Sequence, residues 1–349
     1  MSLDIKETLE KVKQALETEK KEYAKSLLEA ILTIDPNNKQ ALELYKKHWK
    51  RLEIRRRHRE DILAVAWSPD RQYIASGSRD KAIIIWDPRT RRPVRVLREH
   101  RDRVSSVAWS PAGKYLASSS FGKIIIWDTE TWKPIKTLRE HESWIEALAW
   151  SPDGKYLASG GKYEKIVIWD TKNWQPSKIL QSKERRIEAL AWSPDGKYLA
   201  SGGWNKTIVI WDTKTWKPAR ILKKHTGVIY ALAWSPDGKH LASGDEDEIT
   251  IIWDTETWRP VKTLHEHASV VYALAWSPDG QYLASGGNDR KIIIWDTKTW
   301  TPIRTFSNID HAPRTMVWSP DGKYLASGSH KEIVVISLEE TDFEYILII

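Results

Sequence analysis

Apolar and polar positions along the chain repeat one short score seven times. In the third copy an alternating run, Trp144-Ile145-Glu146-Ala147-Leu148-Ala149-Trp150, breaks at Ser151-Pro152-Asp153-Gly154 and resumes over residues 155–159. A polar stretch at 160–164 follows, then the apolar Lys165-Ile166-Val167-Ile168-Trp169, a turn over 170–176 and Ser177-Lys178-Ile179-Leu180. Period-two alternation predicts half-buried strands, and the continuous apolar run predicts a strand covered on both faces. Pro and Gly fall where a turn needs a fixed and a positive φ. Each copy therefore predicts four short strands.

The first tryptophans of the copies are Trp67, Trp109, Trp150, Trp192, Trp234, Trp276 and Trp318, spaced by 42, 41, 42, 42, 42 and 42 residues. A fixed period of this length describes an array of one supersecondary unit, and four strands per unit describe the blade of a propeller. The predicted fold is an all-β seven-bladed propeller of four-stranded antiparallel blades over residues 51–349, preceded by an α-helical segment over residues 1–50.

The dipeptides Trp86-Asp87, Trp127-Asp128, Trp169-Asp170, Trp211-Asp212, Trp253-Asp254 and Trp295-Asp296 resemble those of the WD-repeat β-propeller family; the last copy departs, with Ile336-Ser337. The resemblance implies a buried His–Ser–Asp–Trp tetrad inside a blade. The matching sets are His58, Ser76, Asp80 and Trp86; His225, Ser243, Asp247 and Trp253; and His267, Ser285, Asp289 and Trp295. Elsewhere Gly122, Tyr163, Asn205 and Lys331 stand at the Asp position, and Lys183 and Ile309 at the His position, which predicts less rigid blades. The resemblance also favours an N-terminal strand, Arg51-Leu52-Glu53-Ile54-Arg55, as the one completing the last blade. The apolar tail over residues 343–349 competes for that place.

Residues 4–50 lack Gly. Ile5, Leu9, Val12 and Leu16 form one apolar helical stripe, Ala24, Leu27, Leu28 and Ile31 a second, and Leu42, Tyr45 and Trp49 continue after a break at Asp35-Pro36-Asn37-Asn38. The passage from Tyr23 to Asn38 resembles the second helix of a single tetratricopeptide repeat. Such a segment serves as a stabilising cap, or as a module for partner binding or oligomerisation.

His, Ser and Asp in many copies do not make a hydrolase. A catalytic triad is needed once, beside a pocket, whereas a recurring polar set is scaffolding. No Gly-rich phosphate loop or His-Glu-x-x-His is present. His265-Glu266-His267 lacks a third metal ligand, and residues 245–248 lack the spacing of a calcium loop. The expectation is a non-enzyme with neither metal nor cofactor. With no cysteine, thiol chemistry and disulfides are excluded. No apolar run reaches the roughly 18 residues of a membrane span, and no signal peptide opens the chain, so the default location is the cytoplasm. Net charge is +8, from 55 basic and 47 acidic residues interspersed, which describes a solvated surface first. The basic run over residues 46–59 keeps nucleic acid as an alternative partner. Two methionines and uniform turns also fit a thermostable or designed repeat scaffold without a natural ligand.

The copies differ mainly before the first strand and in the hairpin between the second and third. In the family both lie on one face, around the central channel. Here they carry Trp144, Trp204, Tyr230, Tyr272, Phe121, Tyr163, Arg103, Arg186 and Arg314, residue types enriched at interface hot spots. Of 21 tryptophans, 18 occupy three repeating positions, while Trp144 and Trp204 do not. Packing against neighbouring blades is the competing role for these two. The functional expectation is a scaffold binding a protein or peptide through this variable face.

Overall fold

The computed structural model describes residues 4–18, 20–35, 38–48, 58–163, 165–182, 185–307, 309, 311–337 and 345–348. Seven four-stranded antiparallel sheets follow one another, each joining its strands in chain order. Blade three is typical: Ile145–Trp150, Tyr156–Gly161, Lys165–Asp170 and Gln175–Gln181. First strands of neighbouring blades touch at all seven steps, including Ile62–Trp67 of blade one against Thr315–Trp318 of blade seven. The sheets thus close into a ring whose inner wall is made of first strands. Third strands are buried almost throughout, as their continuous apolar runs predict, and fourth strands form the exposed rim. Pro and Lys or Arg on the rim strands blunt their open edges.

Neighbouring blades are joined by a recurring hydrogen bond. The Trp109 Nε1–H donates to the Ala66 carbonyl at 3.1 Å, and Trp150, Trp192, Trp234, Trp276 and Trp318 do the same to Ala108, Ala149, Ala191, Ala233 and Ala275 at 2.9–3.0 Å. A second aromatic reinforces five of these seams. Trp174, for example, meets Trp150 of its own blade and Tyr115 of the blade before, edge to face at 6.0 and 5.4 Å. It holds a positive φ of 59°, and this double contact offsets the strain a non-glycine residue carries there.

The seventh seam is different. The blade-seven third strand pairs with the tail, Val334 with Ile348, Val335 with Ile346 and Ile336 with Tyr345. The tail, not the N-terminal strand that the family resemblance favours, therefore completes the last blade; Arg51-Leu52-Glu53-Ile54-Arg55 lies outside the described residues. Its apolar composition and short connection make the tail the cheaper edge to add. One consequence is that no polypeptide links blade seven to blade one. Among the described residues Trp67 Nε1 is also buried there without a partner, and Arg91 stands where blades two to six carry the turn tryptophan. The seam is held by an apolar cluster of Ile62, Val65 and Trp67 with Ala326, Ile333 and Val335. Polar links add to it: Ile62 N–H to Ser329 O at 3.0 Å, Val65 N–H to Thr315 Oγ1 at 3.3 Å, Arg71 with Asp321 at 2.9 Å, and His330 with Asp61.

Inside blade one, His58 Nδ1 meets Asp80 at 3.0 Å, His58 Nε2 meets Ser76 Oγ at 2.7 Å, and Trp86 Nε1–H donates to the same hydroxyl at 2.8 Å. Blade six repeats this with His267, Asp289, Ser285 and Trp295. Blade five corrects the sequence expectation. His225 takes Asp245 at 2.6 Å, while Asp247 accepts the Thr226 hydroxyl at 2.7 Å. The reason is positional. Blade six has Gly287 at the Asp245 position, and a Cβ there would lie 2.6 Å from His267 Nδ1, so a carboxylate at this place reaches the ring directly. His100 and His141 keep their serines, but among the described residues nothing partners their buried Nδ1 atoms. Burial, helped by the nearby Lys123 and Lys165 charges, pushes them down to about 3 and about 4, so both stay neutral. In blade seven Ile309 and Ile336 replace both His and Trp within one apolar cluster.

The N-terminal helices are Ile5–Glu17, Lys21–Ile34 and Lys39–His48. Leu9, Val12, Leu28 and Ile31 from the predicted stripes share a small core of their own. Asn38 Oδ1 accepts the Ala41 N–H at 3.0 Å, starting the third helix after the predicted break. The side chains of Leu42, Tyr45 and Trp49 lie outside the described residues. Three short helices do not amount to a tetratricopeptide array, and that likeness finds no support.

Three measurements check this account. Trp150→Phe and Trp67→Phe lose similar ring volume, but only Trp150→Phe breaks a hydrogen bond and strands the Ala108 carbonyl. Denaturant melts are expected to show Trp150→Phe costing more, by about 1 kcal/mol; equal losses would contradict the role given to this bond. Deleting residues 342–349 should lower the melting temperature and promote aggregation, and unaltered melting would exclude the tail as the closing strand. Burial alone would raise Asp80, but hydrogen bonds from His58 and the Arg59 and Ala82 amides hold it at about 2. Its folded pKa lies below its unfolded one. The stabilisation is therefore present above about pH 4 and is lost as pH falls through 2. Asp80→Asn should lower the unfolding midpoint at pH 6 and lose that deficit near pH 2; a deficit independent of pH would refute the linkage.

Candidate functional site

In five blades the first strand runs six residues and leaves its second and fifth positions partly exposed to the axis of the ring, as in the pattern buried, half-buried, buried, buried, half-buried, buried at Ile145–Trp150 and Ile187–Trp192. In blades two and seven the strand starts only after the matching second position, and Ser105 at that position in blade two is buried. The fifth positions are Ala66, Ala108, Ala149, Ala191, Ala233, Ala275 and Val317, so one end of the channel is lined by small side chains. The second positions are Leu63, Ser105, Glu146, Glu188, Tyr230, Tyr272 and Arg314. They lie beside the hairpins that join second and third strands, because Ile187 pairs with Gly203 at the end of the second strand while Trp192 pairs with Leu199 at its start.

In five blades this second position is a β-bulge. Pairing jumps from Ile62 to Ala64, Ile145 to Ala147, Ile187 to Ala189, Ile229 to Ala231 and Val271 to Ala273. Leu63, Glu146, Glu188, Tyr230 and Tyr272 are the extra residues. A bulge bends the strand and re-aims one side chain, here into the channel mouth. Two glycines make room for the chain just before it. A Cβ on Gly161 would sit 2.0 Å from the Trp144 carbonyl oxygen, and one on Gly203 would sit 1.9 Å from that of Arg186.

The structure brings most of the sequence-predicted residues into two touching groups. Phe121 meets Trp144 edge to face at 5.3 Å, and the Arg103 guanidinium lies over Trp144 at 4.2 Å. Arg103 and Arg186 each donate to Glu146 Oε1 at 2.8 Å. Arg186 also lies 2.8 Å from Glu188 Oε1, which accepts the Trp204 Nε1–H at 2.8 Å. This chain crosses blades two, three and four. In the second group Tyr230 meets Tyr272 at 5.4 Å and Arg314 lies over Tyr272 at 4.9 Å. Tyr163 stands apart at a hairpin tip with a positive φ of 76°, with Lys162 Nζ over its ring at 5.3 Å.

Trp144 and Trp204 differ. Trp144 is half-buried and packs across the seam between blades two and three, whereas Trp204 is 47 % exposed. Phe121 and Tyr163 are 48 % and 57 % exposed, which places one open aromatic on each of three successive blades. The sequence places Glu146 and Glu188 among the copy-variable positions without singling them out as hubs. Their signal was available, since both stand at the copy-variable second position of a first strand.

Burial pushes the Glu188 carboxyl above the usual carboxylate range, although the Arg186 charge and the Trp204 hydrogen bond pull the other way. Burial also raises the Tyr230 phenol, with the Glu188 and Glu246 charges adding to the effect. The mouth is thus a half-desolvated mixture of aromatic rings, guanidinium groups and carboxylates. Among the described residues no group of three or more His, Cys, Asp or Glu has a metal-binding arrangement, and no helix is long and apolar enough to cross a membrane.

Comparison with known proteins agrees with the architecture. Residues 36–217 match the family described as IFT122 first beta-propeller, and residues 216–254, 258–296 and 300–336 match the WD domain, G-beta repeat. Among curated proteins the chain is similar to Protein HIRA of Dictyostelium discoideum, 45 % identical over 51 residues, which are 15 % of this chain and 5 % of that protein. It is also similar to the transcriptional repressor rco-1 of Neurospora crassa, 52 % identical over 33 residues, 10 % of this chain and 6 % of that protein. The matched stretches thus span only a small part of these relatives. With a little over half its length matched by the first family and its later blades by the repeat itself, the chain is a WD-repeat β-propeller, belonging to the family described as IFT122 first beta-propeller.

Proposed function

We propose that this chain is a non-catalytic platform that docks a protein or peptide segment on its hairpin face. The observation that carries the reading is the run of open aromatic side chains, Phe121, Tyr163 and Trp204, on three successive blades. They stand beside a channel mouth whose side chains are aimed inward by bulges. Large rigid rings at the edge of a concave mouth supply contact area at little entropic cost, and each good anchor is worth about 2 kcal/mol on truncation. The closed hydrogen bonding of the His–Ser–Asp sets speaks against catalysis. Their serine hydroxyls are buried between an imidazole and an indole N–H, with no access for a substrate. The relatives include a transcriptional repressor, whose name accords with an assembly role rather than with chemistry.

A random 12-residue peptide library displayed on phage tests the reading. Wild-type protein should enrich binders. The triple variant Phe121→Ala/Tyr163→Ala/Trp204→Ala should retain less than a tenth of that binding at an unchanged melting temperature. A control carrying Lys155→Ala, Lys197→Ala and Lys239→Ala on the opposite face should bind as wild type. Equal enrichment on the triple variant would overturn the assignment of the face.

A further inference from the structure

The chemistry of the mouth narrows the partner, on the reading that the hairpin face is the docking face. Three hydrogen bonds and one ion-pair contact converge on two oxygens. Arg103 and Arg186 both engage Glu146 Oε1, and Arg186 and the Trp204 N–H both engage Glu188 Oε1. Among the described residues no donor reaches either Oε2, and neither is sealed from solvent. Each of the two carboxylates, with side chains 11 % exposed, therefore keeps one oxygen without a hydrogen bond among the described residues in a largely desolvated position. Trp204 is fixed beside Glu188 by its own hydrogen bond, and Tyr230 is close enough for the Glu188 charge to raise its phenol.

We propose that the partner segment inserts a lysine or arginine side chain into this mouth, its cationic head on the open Oε2 atoms of Glu188 and Glu146 and its stem against Trp204 and Tyr230. Charge complementarity favours this occupant over an acidic one. The Arg103 and Arg186 guanidinium groups already lie on carboxylates, so an anion arriving beside them would have to displace Glu146 or Glu188 and would face their repulsion. A cation displaces only water. The Tyr230 ring adds to the preference, since aromatic rings attract cations held within about 6 Å, whereas Trp204, which already has Arg186 over its ring at 5.7 Å, offers the stem apolar contact. Burial holds the Glu188 carboxyl above its usual range even with Arg186 beside it, so its charge is incompletely compensated and gains from a further cation. Arg103 and Arg186 act as positioning residues: they hold the two carboxylates in place through Oε1 and leave the other oxygen outward.

The same phage library supplies the probe. Enriched clones should share a Lys or Arg at one position among neutral residues. A fluorescein-labelled 12-residue peptide of the top clone should bind wild type about tenfold or more tightly than its version with that residue changed to Gln, measured by fluorescence polarisation. Glu188→Gln keeps an acceptor for the Trp204 N–H, and the indole signal of Trp204 in a ¹⁵N spectrum reports whether the mouth is intact. This variant should lose the same factor for the cationic peptide and little for the Gln version, and Glu146→Gln should do likewise to a smaller degree. Enrichment of acidic anchors, or a cation preference that survives both substitutions, would overturn the proposal. Binding that depends on the three open aromatics but ignores peptide charge leaves the docking face standing and removes this inference alone. Failure of wild type to enrich any peptide removes both.

Discussion

The hydrogen bond from an inner tryptophan to the backbone of the preceding blade is the constraint from which the rest of the molecule follows. It joins a side chain held rigidly in one sheet to a carbonyl held rigidly in the next. Packing alone would let two sheets slide, because apolar contact is non-directional; an N–H aimed at one oxygen sets the offset. Repeated round the ring it places the first strands side by side, and only then do their second positions meet at a common mouth. Arg186 of blade four reaches Glu146 of blade three because that offset is fixed.

This explains how the fold divides from the site. The Ser-Pro-Asp-Gly turns, the inner tryptophans and the buried third strands vary little because each touches the next copy of itself. The bulged position touches the channel instead, and it is free to be Leu63, Glu146, Tyr230 or Tyr272 without disturbing a seam. A bulge, a glycine under the preceding loop and a fixed blade offset together give the mouth the rigidity of the scaffold. Side chains held in this way lose little entropy when a ligand arrives.

Most of the architecture was legible because seven in-phase copies carry the same strand periods and turn residues. What was not legible depends on geometry that spacing does not encode. Asp245 and Asp247 are both acidic and two residues apart, and only the direction of the strand end shows which faces His225. The tail and the segment around Ile54 both read as strands, and the choice turns on which edge is nearer. Trp144 and Trp204 look alike as departures from the repeat, yet one lies under Arg103 against Phe121 while the other stands open. Glu146 and Glu188 stood among the copy-variable positions of the face, but two arginines from different blades meeting one carboxylate is a property of the closed ring.

The missing chain link between the last blade and the first has a consequence in time. His330 finds Asp61 across a sequence separation of 269 residues, the longest reach of any seam. As the chain emerges from a ribosome, blade one is complete early. Its face of Ile62, Val65 and Trp67 must then wait until blade seven has been synthesised. The other blades meet their neighbours within one repeat. Assembly is therefore local and progressive for six steps and ends in a single long-range event, the closure of the largest loop in the molecule. The apolar face of Ile62, Val65 and Trp67 is therefore covered last, by the contacts of greatest sequence separation in the ring.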